Sequence, residues 1–230
     1  MKAAFLGLGA IGSPMAGHLV AAPFELTVWN RTHEKARAFA GKHGVVVTAS
    51  PAEAVAGADV VICCLPSSRE VMDVVARPDG IGAGIRPGAL MIDCTSGDPA
   101  TSRAIAALLS EKAVKFIDAP VSGGVKGAEA GTLTVMCGGS EPDVDRARPV
   151  LERFGKKIVH CGAIGAGDAV KAMNQALLAI HIWSAGEALS ALARLGIDTR
   201  VALDVINGSS GRSNSSENLF IERVIGRAFP

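Results

Sequence analysis

The sequence contains no tyrosine, and aromatic residues make up only 4% of it. A mechanism built on a tyrosine acid, such as the Tyr–Lys pair of short-chain dehydrogenases, is therefore excluded. Cysteine is scarce: Cys63, Cys64, Cys94, Cys137 and Cys161 are five in number and show no C-x-x-C spacing. Neither a disulfide framework nor a structural zinc site is expected, and no metal. They read as small buried hydrophobes in a reducing compartment. An excess of one charge is also missing, with 23 basic and 22 acidic residues and a net charge of +1. Nothing in that balance favours nucleic acid or an anionic membrane as partner.

What is present is apolar. Hydrophobic residues are 49% and charged residues 20% of 230 positions, enough to bury a sizeable core. The length suits one large domain, or one domain and part of a second. After Lys2 no acid or basic charge appears before Glu25, apart from His18. Gly7, Gly9, Gly12, Pro14 and Gly17 interrupt this run, so it does not read as an export signal. No other uncharged run approaches the roughly 20 residues of a membrane helix. A cytoplasmic location is expected.

The first half alternates continuous apolar runs with amphipathic segments. The runs are Ala3 to Leu6, Leu26 to Trp29, Val45 to Val47, Val60 to Cys64 and Leu90 to Ile92. Continuous runs are the mark of strands covered on both faces. The segments between them are Pro14 to Ala21, Thr32 to His43, Pro51 to Ala56, Ser68 to Val75 and Pro99 to Glu111. This alternation predicts an α/β, Rossmann-type, doubly wound and mostly parallel sheet. Val114 to Ile117 and Thr132 to Cys137 extend it across a Gly-rich loop holding Gly123, Gly124, Gly127 and Gly131. A helix over Glu141 to Phe154 follows, and Lys157 to His160 closes the sheet. The nucleotide-binding domain is expected over residues 1–164.

An all-α domain is expected over residues 165–230. A helix from about Asp168 to Leu195, ended by Gly196, would span roughly 40 Å. Its stripe of Met173, Leu177, Ile180, Trp183 and Ala188 is expected to be core and subunit interface, in a homodimer or homotetramer. A second helix covers Thr199 to Asn207 behind an Asp198 cap, followed by a polar loop, Gly208 to Ser216, and an amphipathic Leu219 to Ile225. The sequence stops at Phe229-Pro230 with no closing helix. The expectation is that another subunit covers this surface or that the helical domain is incomplete.

Two groups of residues carry chemistry. Gly7-Leu8-Gly9-Ala10-Ile11-Gly12 is G-x-G-x-x-G between the first strand and the first helix, the context of a dinucleotide-binding turn. Gly7 permits the turn, Gly9 admits a pyrophosphate and Gly12 allows close packing. The second strand is followed by Asn30-Arg31-Thr32 where an NAD-selective fold carries a carboxylate. Arg31 can pair with a 2′-phosphate, worth about 1.5–3 kcal/mol or about ten- to a hundredfold in preference. NADP is the preferred cofactor, with NAD the alternative. Cys64-Leu65-Pro66 and Thr95 follow the fourth and fifth strands, where ligands bind in such sheets.

Proton transfer to or from a hydroxyl needs a base. No histidine has a carboxylate arranged to orient it, and His18, His33 and His43 are expected at the surface. Lys171 stands among Ala169, Val170, Ala172 and Met173 at the start of the long helix, where burial lowers a lysine pKa. Asn174 and Gln175, at i+3 and i+4, share its face. From spacing alone, a lysine snorkelling beside an interface reads as well.

The segments Gly7 to Ala16, Asp118-Ala119-Pro120-Val121-Ser122-Gly123-Gly124 and Gly165-x-Gly-x-x-x-Lys171-x-x-Asn174 occur in order. Together they resemble the β-hydroxyacid dehydrogenase family, which includes 3-hydroxyisobutyrate dehydrogenase, tartronate semialdehyde reductase and, more distantly, 6-phosphogluconate dehydrogenase. The resemblance spans nearly the whole chain. It implies hydride transfer between NAD(P) and a small β-hydroxyacid or semialdehyde, with Lys171 as general acid and base. Ser122, Gly123 and Gly124 would hold the substrate carboxylate, Asn174 or Gln175 its hydroxyl, and Thr95 the nicotinamide end. The Lys-x-x-Asn-Gln order is similar to tartronate semialdehyde reductases, and Asn-Arg-Thr to NADP-using members. Family chains continue beyond Pro230 and bring a further lysine and aromatic contacts to the nicotinamide. The alternative is therefore a catalytically impaired dinucleotide-binding protein lacking those helices. An imine reductase is disfavoured, because that branch replaces the lysine.

Overall fold

The computed structural model describes residues 1–21 and 23–228; Phe229 and Pro230, on which the expected ending falls, lie outside them. The chain forms two compact units, Met1–Ala172 and Met173–Pro230.

The first unit is a twisted sheet of nine strands among the described residues. They are β1 (Lys2–Leu6), β2 (Glu25–Trp29), β3 (Val46–Val47), β4 (Val60–Cys63), β5 (Leu90–Asp93), β6 (Lys115–Asp118), β7 (Val121–Ser122), β8 (Leu133–Gly138) and β9 (Gly155–Gly162). The spatial order is β3-β2-β1-β4-β5-β6-β8-β7, with β9 paired to β8. Every pair from β3 across to β6 is parallel, β8 runs antiparallel to β6 and β7, and β9 is parallel to β8. The order turns back on itself at β1, between β2 and β4. That reversal opens a crevice at the carboxyl ends of the strands.

The helices of this unit are α1 (Gly12–Gly17), α2 (His33–His43), α3 (Pro51–Val55), α4 (Ser68–Ala76), α5 (Ile81–Gly84), α6 (Pro99–Ser110), α7 (Gly124–Glu129) and α8 (Glu141–Leu151). Alternate strand residues feed two cores. Phe5, Val28, Ile62 and Ile92 pack with Met15, Phe39 and Val150 on one face. Leu6, Val61, Met91 and Phe116 pack with Val71, Ile81 and Ile105 on the other. Each such side chain stabilises the unit by about 1.5–3 kcal/mol when fully buried, which is why the strands read as unbroken apolar runs.

Several features differ from the expectation. The Gly-rich stretch after β6 contains β7 and α7, because Gly123 and Gly124, with φ of 139° and 63°, turn the chain into a helix. Ile81–Gly84 forms a short helix where none was expected; Gly84 fits against the Ala52 backbone, 2.1 Å from where its Cβ would stand. His18, His33 and His43 are half-buried rather than on the surface, with the His18 ring Nε2 2.9 Å from the Ala128 carbonyl oxygen and the His33 Nε2 3.3 Å from that of Ala49.

Helix α9 (Ala166–Arg194) begins in the first unit and runs into the second. It ends at Gly196, whose φ is +80°. The second unit continues with α10 (Thr199–Asn207), capped by Asp198, then α11 (Asn214–Asn218), capped by Ser213, and a π-helical turn over Phe220–Ile225. Helix α11 begins inside the stretch expected as a polar loop, Gly208 to Ser216, and the π-helical turn falls on the amphipathic segment expected over Leu219 to Ile225. The unit's small core is Leu189, Ala202, Leu203 and Phe220. The stripe expected as core and subunit interface is not part of the core within one chain. Met173, Leu177, Ile180, Trp183 and Ala188 are exposed, Trp183 by 73%, because α10 and the π-helical turn pack on Ala185, Leu189 and Leu192 instead. By length and composition alone, α9 is long and apolar enough to cross a membrane.

Candidate functional site

The phosphate-binding turn is built from backbone. Gly7 has φ +103°, and a Cβ there would lie 2.2 Å from the Cys64 carbonyl oxygen. A Cβ on Gly12 would lie 2.0 Å from the Gly7 carbonyl oxygen, so α1 can leave the turn at this angle only with glycine. Gly9 is different, with open space where a Cβ would stand. The N–H groups of Gly9, Ala10 and Ile11 find no acceptor among the described residues, and Ile11 offers no side-chain cap to α1. A dinucleotide pyrophosphate fits this arrangement, since it needs close backbone approach and free N–H donors. The Leu8 N–H is already used, donating to Asn30 Oδ1 at 2.8 Å, while Asn30 Nδ2 donates to the Thr32 carbonyl. Asn30 thus ties the end of β2 to the turn.

Arg31 and Thr32 are exposed. Arg31 stands near Glu70 of α4. The Ser67 hydroxyl first, then the Glu70 backbone N–H, then the charges of Arg31 and Arg69 hold Glu70 below the usual carboxylate range. Cys64 and Leu65 are half-buried after β4 and Pro66 is exposed. Burial, and secondarily Asp93, pushes the Cys64 thiol to about 12, so it is not a nucleophile. Thr95 is buried: its Oγ1 accepts from the Leu65 N–H and its own N–H donates to Asp93 Oδ1, each at 3.0 Å. It joins the two loops beside the crevice.

The second part of the site is the start of α9, which carries Lys171. Gly167 lets α9 approach β8, since a Cβ there would lie 2.1 Å from the Met136 carbonyl oxygen. Asp118, the last residue of β6, accepts from the Gly165 N–H at 2.6 Å and the Asp168 N–H at 3.0 Å, and so caps α9 from a distance. Gly138 makes room for that carboxyl, 2.4 Å from where its Cβ would be. Asp168 in turn accepts from the Gly97 N–H at 3.1 Å and from Ser102 Oγ at 2.6 Å. Asp93 lies beside Asp118 in the strand register. Asp93, Asp118 and Asp168 are all buried. Burial pushes Asp93 up to about 7, against its bonds from Thr95 and helped by repulsion from the other two. Burial raises Asp118 and Asp168 as well, against their hydrogen bonds.

Lys171 is itself buried, 8% exposed, one turn beyond Asp168. Burial lowers its pKa from the ordinary lysine value. Such an amine exchanges protons closer to neutral pH than a solvated lysine does. Ser122 is half-buried at the end of β7, and Gly123 and Gly124 are exposed. The Gly123 N–H finds no acceptor among the described residues, and nothing stands within 4 Å of the Cβ position of Gly124. This backbone suits an anion. Asn174 and Gln175 belong to the second unit; both are exposed, with Asn174 Nδ2 3.3 Å from Gln175 Oε1.

Residues 2–162 match the NAD-binding domain of 6-phosphogluconate dehydrogenase. Residues 165–230 match the NAD-binding domain of NADP-dependent 3-hydroxyisobutyrate dehydrogenase. The chain belongs to the β-hydroxyacid dehydrogenase family. A probable 3-hydroxyisobutyrate dehydrogenase of Mycobacterium bovis is 43% identical over 90% of this chain and 69% of its own length. An NAD-dependent L-serine dehydrogenase of Pseudomonas aeruginosa is 38% identical over 90% of this chain and 70% of its own. The structure of Mycobacterium tuberculosis 3-hydroxyisobutyrate dehydrogenase with L-serine superposes with a TM-score of 0.87, at 41% identity over 95% of this chain and 73% of that one. Across eight curated relatives the chain spans 63% to 76% of their length.

Within this β-hydroxyacid dehydrogenase fold, the sequence places Asp93, Asp118 and Ser68 in motifs without a role of their own, and gives none to the side chains of Asp168 and Ser102. One signal was available. Asp93 and Asp118 each end an apolar strand, where a carboxylate is out of place unless it has partners.

Proposed function

We propose that this chain oxidises a small β-hydroxyacid, or reduces the matching semialdehyde, with Lys171 as the proton-transferring group and NADP as preferred cofactor. The observation that carries this reading is a buried lysine with a lowered pKa, on a helix whose start is held by residues at the carboxyl ends of the strands. The reaction passes a hydride between the hydroxyl-bearing carbon and the nicotinamide, and family membership supports it. When bound, the nicotinamide dinucleotide supplies the hydride acceptor or donor. Gly9, Ala10 and Ile11 offer N–H groups to its pyrophosphate, and the end of β2 presents Arg31 to a 2′-phosphate.

In oxidation, Lys171 Nζ accepts the hydroxyl proton as the carbonyl forms. In reduction, the ammonium returns that proton to the new alkoxide oxygen. Ser122, Gly123 and Gly124 hold the carboxylate through a hydroxyl and backbone N–H groups. Asn174 or Gln175 holds the hydroxyl. The exposed stripe of α9 is covered in a homodimer or homotetramer, and a cytoplasmic location belongs to the same reading.

The test is cofactor reduction by the purified chain with 3-hydroxyisobutyrate, L-serine and related β-hydroxyacids, using NADP and NAD in parallel and a Lys171→Ala control. Turnover that vanishes with Lys171 is the expected result. Cofactor binding without turnover on any acid returns the binding-protein alternative. Light scattering on the same sample reads the assembly.

A further inference from the structure

We propose that Asp168 is a positioning residue for this reaction: its carboxyl fastens the loop after β5 and the start of α6 to the turn of α9 that carries Lys171. The inference rests on the reading of Lys171 as the proton shuttle. Asp168 is 1% exposed and every polar atom it carries near the turn is used. Oδ1 accepts from the Gly97 N–H, Oδ2 accepts from Ser102 Oγ, and its own N–H donates to Asp118 Oδ2. Three elements therefore meet on one residue: the loop after β5, the first turns of α6 and the end of β6.

The loop is held as a unit. Its Thr95 N–H donates to Asp93 Oδ1, its Gly97 N–H to Asp168, and its Asp98 N–H to Ser68 Oγ at 2.7 Å. Gly97 admits no side chain, since a Cβ would lie 2.5 Å from Ser68 Oγ and 3.3 Å from the Asp168 carboxyl. Asp168 is the point where this loop, beside the cofactor crevice, is joined to the helix of the lysine. A buried carboxyl is costly to keep, and a well-packed apolar side chain would serve plain stability as well or better. What the carboxyl adds is two acceptors with fixed directions, which set where α9 starts relative to the loop.

Asparagine at this position keeps both bonds. Its Oδ1 accepts from Gly97, and its Nδ2 donates to Ser102 Oγ, which then acts as acceptor. The experiment compares wild type with Asp168→Asn, Asp168→Ala and Ser102→Ala. It measures kcat, hydroxyacid KM, cofactor Kd by fluorescence titration, and the rate at which Lys171 is labelled by an amine-reactive reagent, read by mass spectrometry. Asp168→Ala is expected to lower kcat about tenfold to a hundredfold, the scale of small misplacements at reacting groups, with KM and cofactor Kd held and labelling accelerated. Asp168→Asn is expected to restore kcat and slow labelling, with Ser102→Ala in between.

Wild-type kcat and labelling in Asp168→Ala would overturn the proposal. So would Asp168→Asn falling as far as the alanine variant, which would mean that charge and not bonding is at work. Should Asp168→Ala fail to fold, the asparagine and Ser102→Ala variants carry the comparison. If wild type turns over no hydroxyacid, the reading of the reaction fails, whereas the labelling of Lys171 still decides whether Asp168 positions it.

Discussion

The two ends of the site are built in opposite ways. The phosphate-binding turn is local: six consecutive residues, Gly7 to Gly12, make it, and the decisive contact is between two of them. The cradle of the start of α9, the helix that carries Lys171, is assembled from Asp118, Asp168 and Ser102, with Asp93 beside Asp118 in the strand register; these residues lie on two strand ends and two helices. The first end uses glycine to bare backbone donors. The second uses buried carboxyls to cap and tether a helix that bears a buried amine. A local device can tolerate change elsewhere in the fold, whereas the cradle depends on the register of the sheet.

The largest test of that contrast is Lys171→Ala. It should remove about 10²–10⁴-fold of kcat while cofactor Kd, set at the other end, stays unchanged in a fluorescence titration. Gly12→Ala should do the reverse. The added methyl meets the Gly7 carbonyl, so cofactor binding is lost and stability falls by about 1–3 kcal/mol in urea unfolding. If Gly12→Ala bound cofactor normally, the turn would be less rigid than its contacts imply. Arg31→Ala should shift the NADP-to-NAD preference by about ten- to a hundredfold, measured as the ratio of kcat/KM values, and leave the NAD value alone.

The last test concerns pH. Burial pushes Asp93 from the ordinary carboxylate value of 3.8 up to about 7 in the folded protein. The folded state therefore binds the extra proton between these values, so its contribution to stability is complete below the lower one and is lost as pH rises through the upper. Asp93→Asn, which keeps an acceptor for the Thr95 N–H, should remove that slope. Its Tm relative to wild type should rise steadily from pH 4 to pH 8. A difference flat in pH would show that Asp93 is not protonated in the folded protein at neutral pH.

Much of this molecule is legible in the amino-acid sequence. The unbroken runs at Val60 to Cys64 and Leu90 to Ile92 read as strands covered on both sides, and the two cores bear this out. The turn after β1 was legible because its meaning is carried by glycine spacing. Helix α7 was not, because Gly123, Gly124, Gly127 and Gly131 read as a loop when the left-handed φ of only some of them is a turn. The α9 stripe, expected as core and subunit interface, is not core within one chain, because periodicity shows that a face is apolar without showing what packs there.

The sequence by itself determined the alternation of strands and helices, the order of chemistry-bearing segments and the glycine turn, because these depend on neighbours within a few residues. Only the tertiary structure decided that Asp93 and Asp118 lie side by side, that Asp118 caps α9 from 50 residues away, and that Asp168 joins a loop to the helix of Lys171. Those relations depend on sheet register and on burial. A carboxyl acquires its partners and its shifted pKa only when distant strands bring them together and exclude water.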